Sequence, residues 1–317
     1  MNFSIIIHQI LILGFLALIG VIATKLKVIT EEIKNSIATI VFNITLPALI
    51  LSSVSNVELN REILFNSLLV FIASHVGILL LYITGKFSRK LIGIDGKKGN
   101  IHVIHTMLGN VAFLGYPLFS ALFPGGEGLL YAVIFHLTQD IYIWTVGVFE
   151  FNNTGNLKFR ESLKHLVNPN IIAFAIGIFM LAFGIRFPEY VYNPISGLGK
   201  TTIYLAMLYI GAVLARNPMI AAFKKPEIYA LIFNKMLLVP FVLLLLINAV
   251  SLVFNIHIGN IAKTVVVMQT AMPCMAMVVV LAKKFGSDDI HATENLFLST
   301  ILSLATLPFL YFLINIF

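Results

Sequence analysis

Ten stretches of this chain are each apolar for about the length of one bilayer crossing: roughly residues 3–24, 33–54, 62–85, 100–122, 127–149, 166–186, 196–215, 227–253, 258–282 and 291–316. Hydrocarbon offers a peptide group no partner, so each run must satisfy its own backbone, and a helix does so. The expected fold class is therefore an all-α membrane protein with ten transmembrane helices. Composition agrees: of 317 residues, 59% are hydrophobic and 11% are charged, where soluble domains carry about 25% charged residues. A single cysteine, Cys274, rules out an intramolecular disulfide, a zinc cluster and a CxxC redox motif. The pI near 9.4 is no nucleic-acid footprint, because the basic residues sit in short loops between the apolar runs.

Those loops fix an expected orientation. Sixteen of the twenty-one Lys and Arg residues follow the odd-numbered segments, with Lys86, Arg89, Lys90, Lys97 and Lys98 the densest group. Cytoplasmic loops are enriched in positive charge, so both termini are expected outside a multi-pass protein of the cell inner (plasma) membrane. No basic residue precedes the first run while Lys25 and Lys27 follow it, which reads as an N-out anchor and not as a cleaved signal peptide. The polar stretch around Glu150-Phe-Asn-Asn-Thr-Gly is the natural seam. It divides the chain into a first five-helix repeat at 1–151, a cytoplasmic linker at 152–165, and a second repeat at 166–317 that the odd helix count turns upside down. The Asn152-Asn153-Thr154 sequon falls in that cytoplasmic linker and carries no expectation of glycosylation.

Two of the segments hold matched prolines. Pro117 ends Gly109-Asn110-Val-Ala-Phe-Leu-Gly115-Tyr-Pro117 and Pro273 ends Gln269-Thr-Ala-Met-Pro273; they stand 156 residues apart, close to half the chain. A proline inside a helix lacks an N–H and frees the carbonyl four residues earlier, here Phe113 and Gln269. Interrupted helices at corresponding points of two halves mark a midplane binding site. The start of each second half-helix exposes N–H groups of partial positive charge, which bind carboxylates, and Asn110 and Gln269 add neutral amides on the proline faces. Asn110, Gly115, Pro117, Gln269, Pro273 and Cys274 are therefore the candidate binding residues, and an anion is the expected ligand. The bland alternative is that both prolines are ordinary kinks and the amides hold helices together.

Other intramembrane polar groups suggest coupling or support. Lys235 lies inside the eighth segment, where an ammonium costs roughly 2.5–3.5 kcal/mol on insertion scales, so it should face a cavity or a carboxylate, or else snorkel. His136, Gln139 and Asp140 form one stripe on the fifth segment, and Asp140 is a candidate proton carrier or the partner of a lysine or histidine. His75, His102 and His105 read as packing or interfacial residues, since no metal-ligand spacing appears. Asp288-Asp289 is placed to cap the last helix, and Glu294 is either a buried or an interfacial carboxylate.

Taken together, Phe42-Asn-Ile-Thr-Leu-Pro47, Gly109 to Pro117, Asn168-Pro169-Asn170, Lys235-Met-Leu-Leu-Val-Pro240 and Gln269 to Pro273 followed by Ala282-Lys-Lys-Phe285 resemble the auxin efflux carrier family. That family includes bacterial malate and malonate carriers and the plant PIN-FORMED auxin transporters. The resemblance spans nearly the whole chain, in order. It implies two inverted five-helix repeats, a scaffold of segments 1, 2, 6 and 7, and a transport domain in which segments 4 and 9 are broken and cross at their prolines. It also implies elevator-like alternating access and a homodimer. By the same resemblance Asn110 matches the amide that holds the substrate carboxylate, Gln139 a support-site glutamine, and Lys235 a basic position in the eighth helix. The chain departs from the plant pattern at Ser67 and Phe71, where those carriers have Asp and Lys, and at Asp140, where they have an uncharged residue. It also lacks the long plant loop.

The expectation is a secondary transporter, not an enzyme, for a small mono- or dicarboxylate such as malate, working in a lipid bilayer without cofactor, metal or nucleic acid but with a proton or sodium ion as coupling candidates. The rivals are a sodium-coupled bile-acid-type symporter, a cation/proton antiporter, which usually needs adjacent carboxylates at the crossing, and an intramembrane enzyme, for which Asp140 and Glu294 are poor candidates.

Overall fold

The computed structural model describes residues 3–151, 168–216 and 220–317, and the 152–165 linker lies outside the described residues. Its helices are α1 (Phe3–Lys25), α2 (Glu31–Val54), α3 (Arg61–Ile92), α4 (Gly96–Met107), α5 (Val111–Leu122), α6 (Glu127–Phe151), α7 (Pro169–Ala182), α8 (Glu189–Arg216), α9 (Pro226–Phe254), α10 (Asn260–Thr270), α11 (Ala276–Lys284) and α12 (Asp289–Ile316). Among the described residues 7 helices are long and apolar enough to cross a membrane, and no strand forms beyond one isolated bridge.

Helix ends follow local chemistry. Thr30 and Asn60 accept from the backbone N–H groups of Ile33 and Ile63 at 3.3 and 2.8 Å, and Asn168 accepts from Asn170 and Ile171 at 3.0 and 3.2 Å just before Pro169. Asp288 caps α12 as expected, accepting from the His291 N–H at 2.8 Å. The third segment runs further than its apolar stretch, to Ile92, so Lys86, Arg89 and Lys90 are helical residues and not loop residues. Hydropathy marks only the hydrocarbon layer, whereas a helix continues as long as its end is tied down. Here Glu150 ties it: Lys86 pairs with it at 2.8 Å and the Tyr82 hydroxyl donates to it at 2.9 Å. At the same end Lys98 pairs with Glu227 at 2.6 Å and Lys225 with Glu294 at 2.6 Å.

Prolines inside the helices are absorbed by a repeated device. The backbone N–H groups of Leu46, Tyr116 and Val239 donate five residues back, to Val41, Val111 and Asn234, so a π-helical turn comes immediately before Pro47, Pro117 and Pro240. A wide turn relieves the clash between a proline ring and the carbonyl four residues earlier. The fourth segment is accordingly not interrupted at Pro117, which lies within the continuous helix α5. Its interruption lies upstream, at Leu108–Asn110.

The helices pack in two groups. α1 runs along α8, and α2 packs against both α7 and α8. α1 and α8 meet through glycines: a Cβ on Gly211 would stand within 2.0 Å of the Ala17 carbonyl oxygen, and one on Gly20 within 2.5 Å of the Leu208 carbonyl oxygen. Close backbone approach through small residues is how helices gain contact where lipid supplies no hydrophobic drive. In the second group α3 packs against α4, α6, α9 and α10, and α12 against α4, α10 and α11. The groups meet where α1 touches α5 and α12, α2 touches α6, and α8 touches α5.

Candidate functional site

Two interrupted helices lie side by side where α4 gives way to α5 and α10 to α11. Gly109 and Cys274 form an antiparallel bridge there, and the Asn110 N–H donates to the Pro273 carbonyl at 2.7 Å. Every backbone group released at this depth needs a partner. The Gly109 N–H, which a continuous helix would have sent to His105, donates to Gln139 Oε1 at 2.8 Å, while Gln139 Nε2 returns a bond to the Gly109 carbonyl at 3.0 Å. The Cys274 N–H donates to Ser299 Oγ at 3.0 Å, and His105 Nε2 donates to the Met275 carbonyl at 3.2 Å. Proximity favours glycine here, since a Cβ on Gly109 would come within 3.1 Å of the Met272 Cβ.

The starts of α5 and α11 converge. Asn110 and Met275 are their N-caps, and neither helix has a side-chain cap. Asn110 and Ala276 line one small cavity of about 10 Å³ that Tyr209 and Val213 of α8 and Leu296 and Thr300 of α12 close. Uncapped N–H groups and the Asn110 amide make this a place where negative charge is favoured, while the Thr300 hydroxyl is committed as a donor to the Leu296 carbonyl at 2.6 Å. The volume holds about one water, so the site is closed to any organic molecule in this conformation.

The protein holds larger spaces as well. A polar vestibule of about 430 Å³ is lined by Ser52, Asn56, Ser120, Tyr192 and Ser196, with Lys200 the charged residue among its walls. The Phe113 ring packs on Tyr209, itself a wall of the small cavity, with centroids 5.0 Å apart. An apolar groove of about 360 Å³ between α1, α5, α8 and α12 shares Ile210, Leu214 and Thr300 with the cavity and has Lys25 in its wall.

The remaining sequence candidates fall around the crossing in different roles. Gly115 lets α5 approach α10, as its Cβ would lie 2.6 Å from Gln269 Oε1. Gln269 is buried; its Nε2 faces the Ala132 carbonyl at 3.4 Å and its Oε1 has no donor. Cys274 packs in an apolar cluster with Met236, Leu296 and Leu298, not in the cavity beside Asn110. His136 Nε2 faces Asp140 Oδ1 at 3.4 Å and its Nδ1 faces the Tyr116 hydroxyl at 2.7 Å, a buried Tyr116–His136–Asp140 chain. Lys235 does not snorkel: it is fully buried and donates to the Thr106 carbonyl at 3.0 Å. Among the described residues no cluster of His, Cys, Asp and Glu gathers in metal-binding geometry. Sequence reading took His105 for a packing or interfacial residue and missed Tyr209, Ser299 and Thr300. Only the i, i+4 spacing of Asn295, Ser299 and Ser303, a polar stripe on an apolar helix, could have pointed to one of them.

The chain belongs to the membrane transport protein family, that of the auxin efflux carriers, whose model matches residues 5–311. It is 28% identical over 305 residues to an uncharacterized transporter of Methanocaldococcus jannaschii, covering 93% of this chain and 94% of that one. An uncharacterized transporter of Methanothermobacter thermautotrophicus is 25% identical over 297 residues, covering 92% and 93%.

Proposed function

We propose that this protein is a secondary transporter of a small organic anion, a mono- or dicarboxylate of malate-like size, which binds where the starts of α5 and α11 meet. The observation that carries the reading is the shared cavity of Asn110 and Ala276 at two uncapped helix starts. A carboxylate there would take the Asn110 amide and backbone N–H groups as donors.

On this reading the chain makes ten crossings in two inverted repeats, with α1, α2, α7 and α8 as the scaffold and the other helices as the moving body; the packing of α1 on α8 and of α2 on α7 and α8 supports that division. The positive-inside pattern puts both termini outside the cell membrane, Lys200 toward the exterior and Lys25 toward the cytoplasm. In that orientation the polar vestibule belongs to the outer side, and the groove, which shares Thr300 with the closed cavity, runs toward the inner side. Sliding of the crossing along α8, with Phe113 leaving Tyr209, would open one side and then the other. That is an elevator movement, and the exposed outer faces of the scaffold suit a homodimer. Asp140, held by His136, is the candidate proton carrier. The antiporter reading is weaker, since Gln139 and not a carboxylate faces the broken backbone. The test is uptake into proteoliposomes against a panel of organic acids, with proton, sodium and voltage gradients imposed separately. Accumulation of no organic anion under any gradient would refute the reading.

A further inference from the structure

The end of α4 holds a charge that the transport reading leaves unused. In an unbroken helix the Thr106 carbonyl would accept from Asn110, but that N–H is committed to Pro273 at 2.7 Å. The neighbouring His105 carbonyl has likewise lost Gly109 to Gln139 and, among the described residues, is faced by the Cys274 thiol at 3.9 Å. The carbonyl end of a helix carries partial negative charge, and buried in a membrane protein it demands a donor or a cation. Lys235 supplies it. Its side chain is fully buried, its Nζ donates to Thr106 O at 3.0 Å, and among the described residues no carboxylate lies within ion-pair distance of it. It sits on the π-helical turn Asn234–Leu238, beside Asn234, whose amide atoms are buried without partners.

We propose that Lys235 is a tethered cation: its ammonium fills, as part of the chain, a site at the carbonyl end of α4 that would otherwise take a mobile monovalent cation such as sodium. The broken helix is thus held in register by a covalently attached charge, and the crossing needs no sodium at that point. The consequence for coupling rests on the transport reading, but the site itself does not, so its test is thermal unfolding of the purified protein and requires no transport.

The wild type, Lys235→Ala and Lys235→Met are unfolded in equal concentrations of sodium, choline and propylammonium chloride. Propylammonium carries the atoms that Lys235→Ala removes. The wild-type midpoint should agree in all three salts within about 1 °C, and Lys235→Ala in choline should fall by about 5 °C or more. Propylammonium should restore at least half of that fall and sodium a part of it. Lys235→Met should stay low in every salt, because its thioether fills the space without charge. A wild-type midpoint higher in sodium than in choline by more than about 2 °C overturns the proposal. So does a Lys235→Ala protein that is as stable as the wild type, or one that ignores propylammonium. If neither variant folds, the wild-type salt series decides alone. A protein that transports no organic anion yet shows this rescue would refute the proposed function and keep the tethered cation.

Discussion

The Asn110 N–H donates to the carbonyl of Pro273 at 2.7 Å, joining residues from opposite halves of the chain. This bond diverts Asn110 from its own helix and so creates both a free carbonyl at Thr106 and a helix start at Val111. The two ends of one interruption acquire opposite polarity, and each has a different occupant: Lys235 at the negative end, and the cavity beside the Asn110 amide at the positive one.

Asn110→Ala should abolish or strongly weaken anion binding while leaving the thermal midpoint within about 2 °C of wild type. The Asn110 side chain makes no hydrogen bond within the protein among the described residues, and the backbone bond to Pro273 survives the substitution. Scintillation-proximity binding of a transported acid, run beside thermal unfolding, separates the two effects. Undiminished binding would remove Asn110 from the site.

Gln139→Ala should behave in the opposite way and destabilise the protein. It removes both bonds to Gly109, at 2.8 and 3.0 Å, and leaves a buried N–H and C=O without partners, at a cost of about 2–4 kcal/mol. Gln139→Glu keeps an acceptor for the Gly109 N–H but loses the donor to its carbonyl, so it should recover only part of the loss in detergent unfolding.

Asp140→Asn should spare anion binding and flatten the pH dependence of uptake. The groups around Asp140 are His136, at 3.4 Å, and through it the Tyr116 hydroxyl, so a His136→Gln protein should share the flattened profile. A pH profile of unchanged shape in both variants assigns the chain a purely structural part.

Gly211→Ala tests the packing of α1 on α8 independently of the site. A methyl group there would meet the Ala17 carbonyl oxygen within 2.0 Å, and that atom belongs to backbone that cannot rotate away. Overpacking of this kind costs about 1–3 kcal/mol or more. Lowered yield of folded protein is expected, with unchanged affinity in what folds.

Sequence alone determined the helices, the likeness to a carrier family and the neighbourhood of the break. Membrane-length apolar runs have one economical backbone solution, and residues such as Thr30, Asn60 and Asp288 mark their ends by local hydrogen bonding that does not depend on the rest of the chain. The tertiary structure decided where the backbone opens and what each polar group does there. Pro117 looked like the break, but a π-helical turn absorbs it, and the opening falls at Gly109, where a side chain from α6 can reach the backbone. In the sequence Gln139 and Lys235 read as coupling or support residues and Cys274 as a binding residue. Only their partners distinguish a backbone clamp, a helix-end cation and a packed thiol, and those partners lie between 30 and 169 residues away in sequence. Helix formation is a local property of the chain, while the satisfaction of a buried polar group depends on whichever distant segment is folded against it.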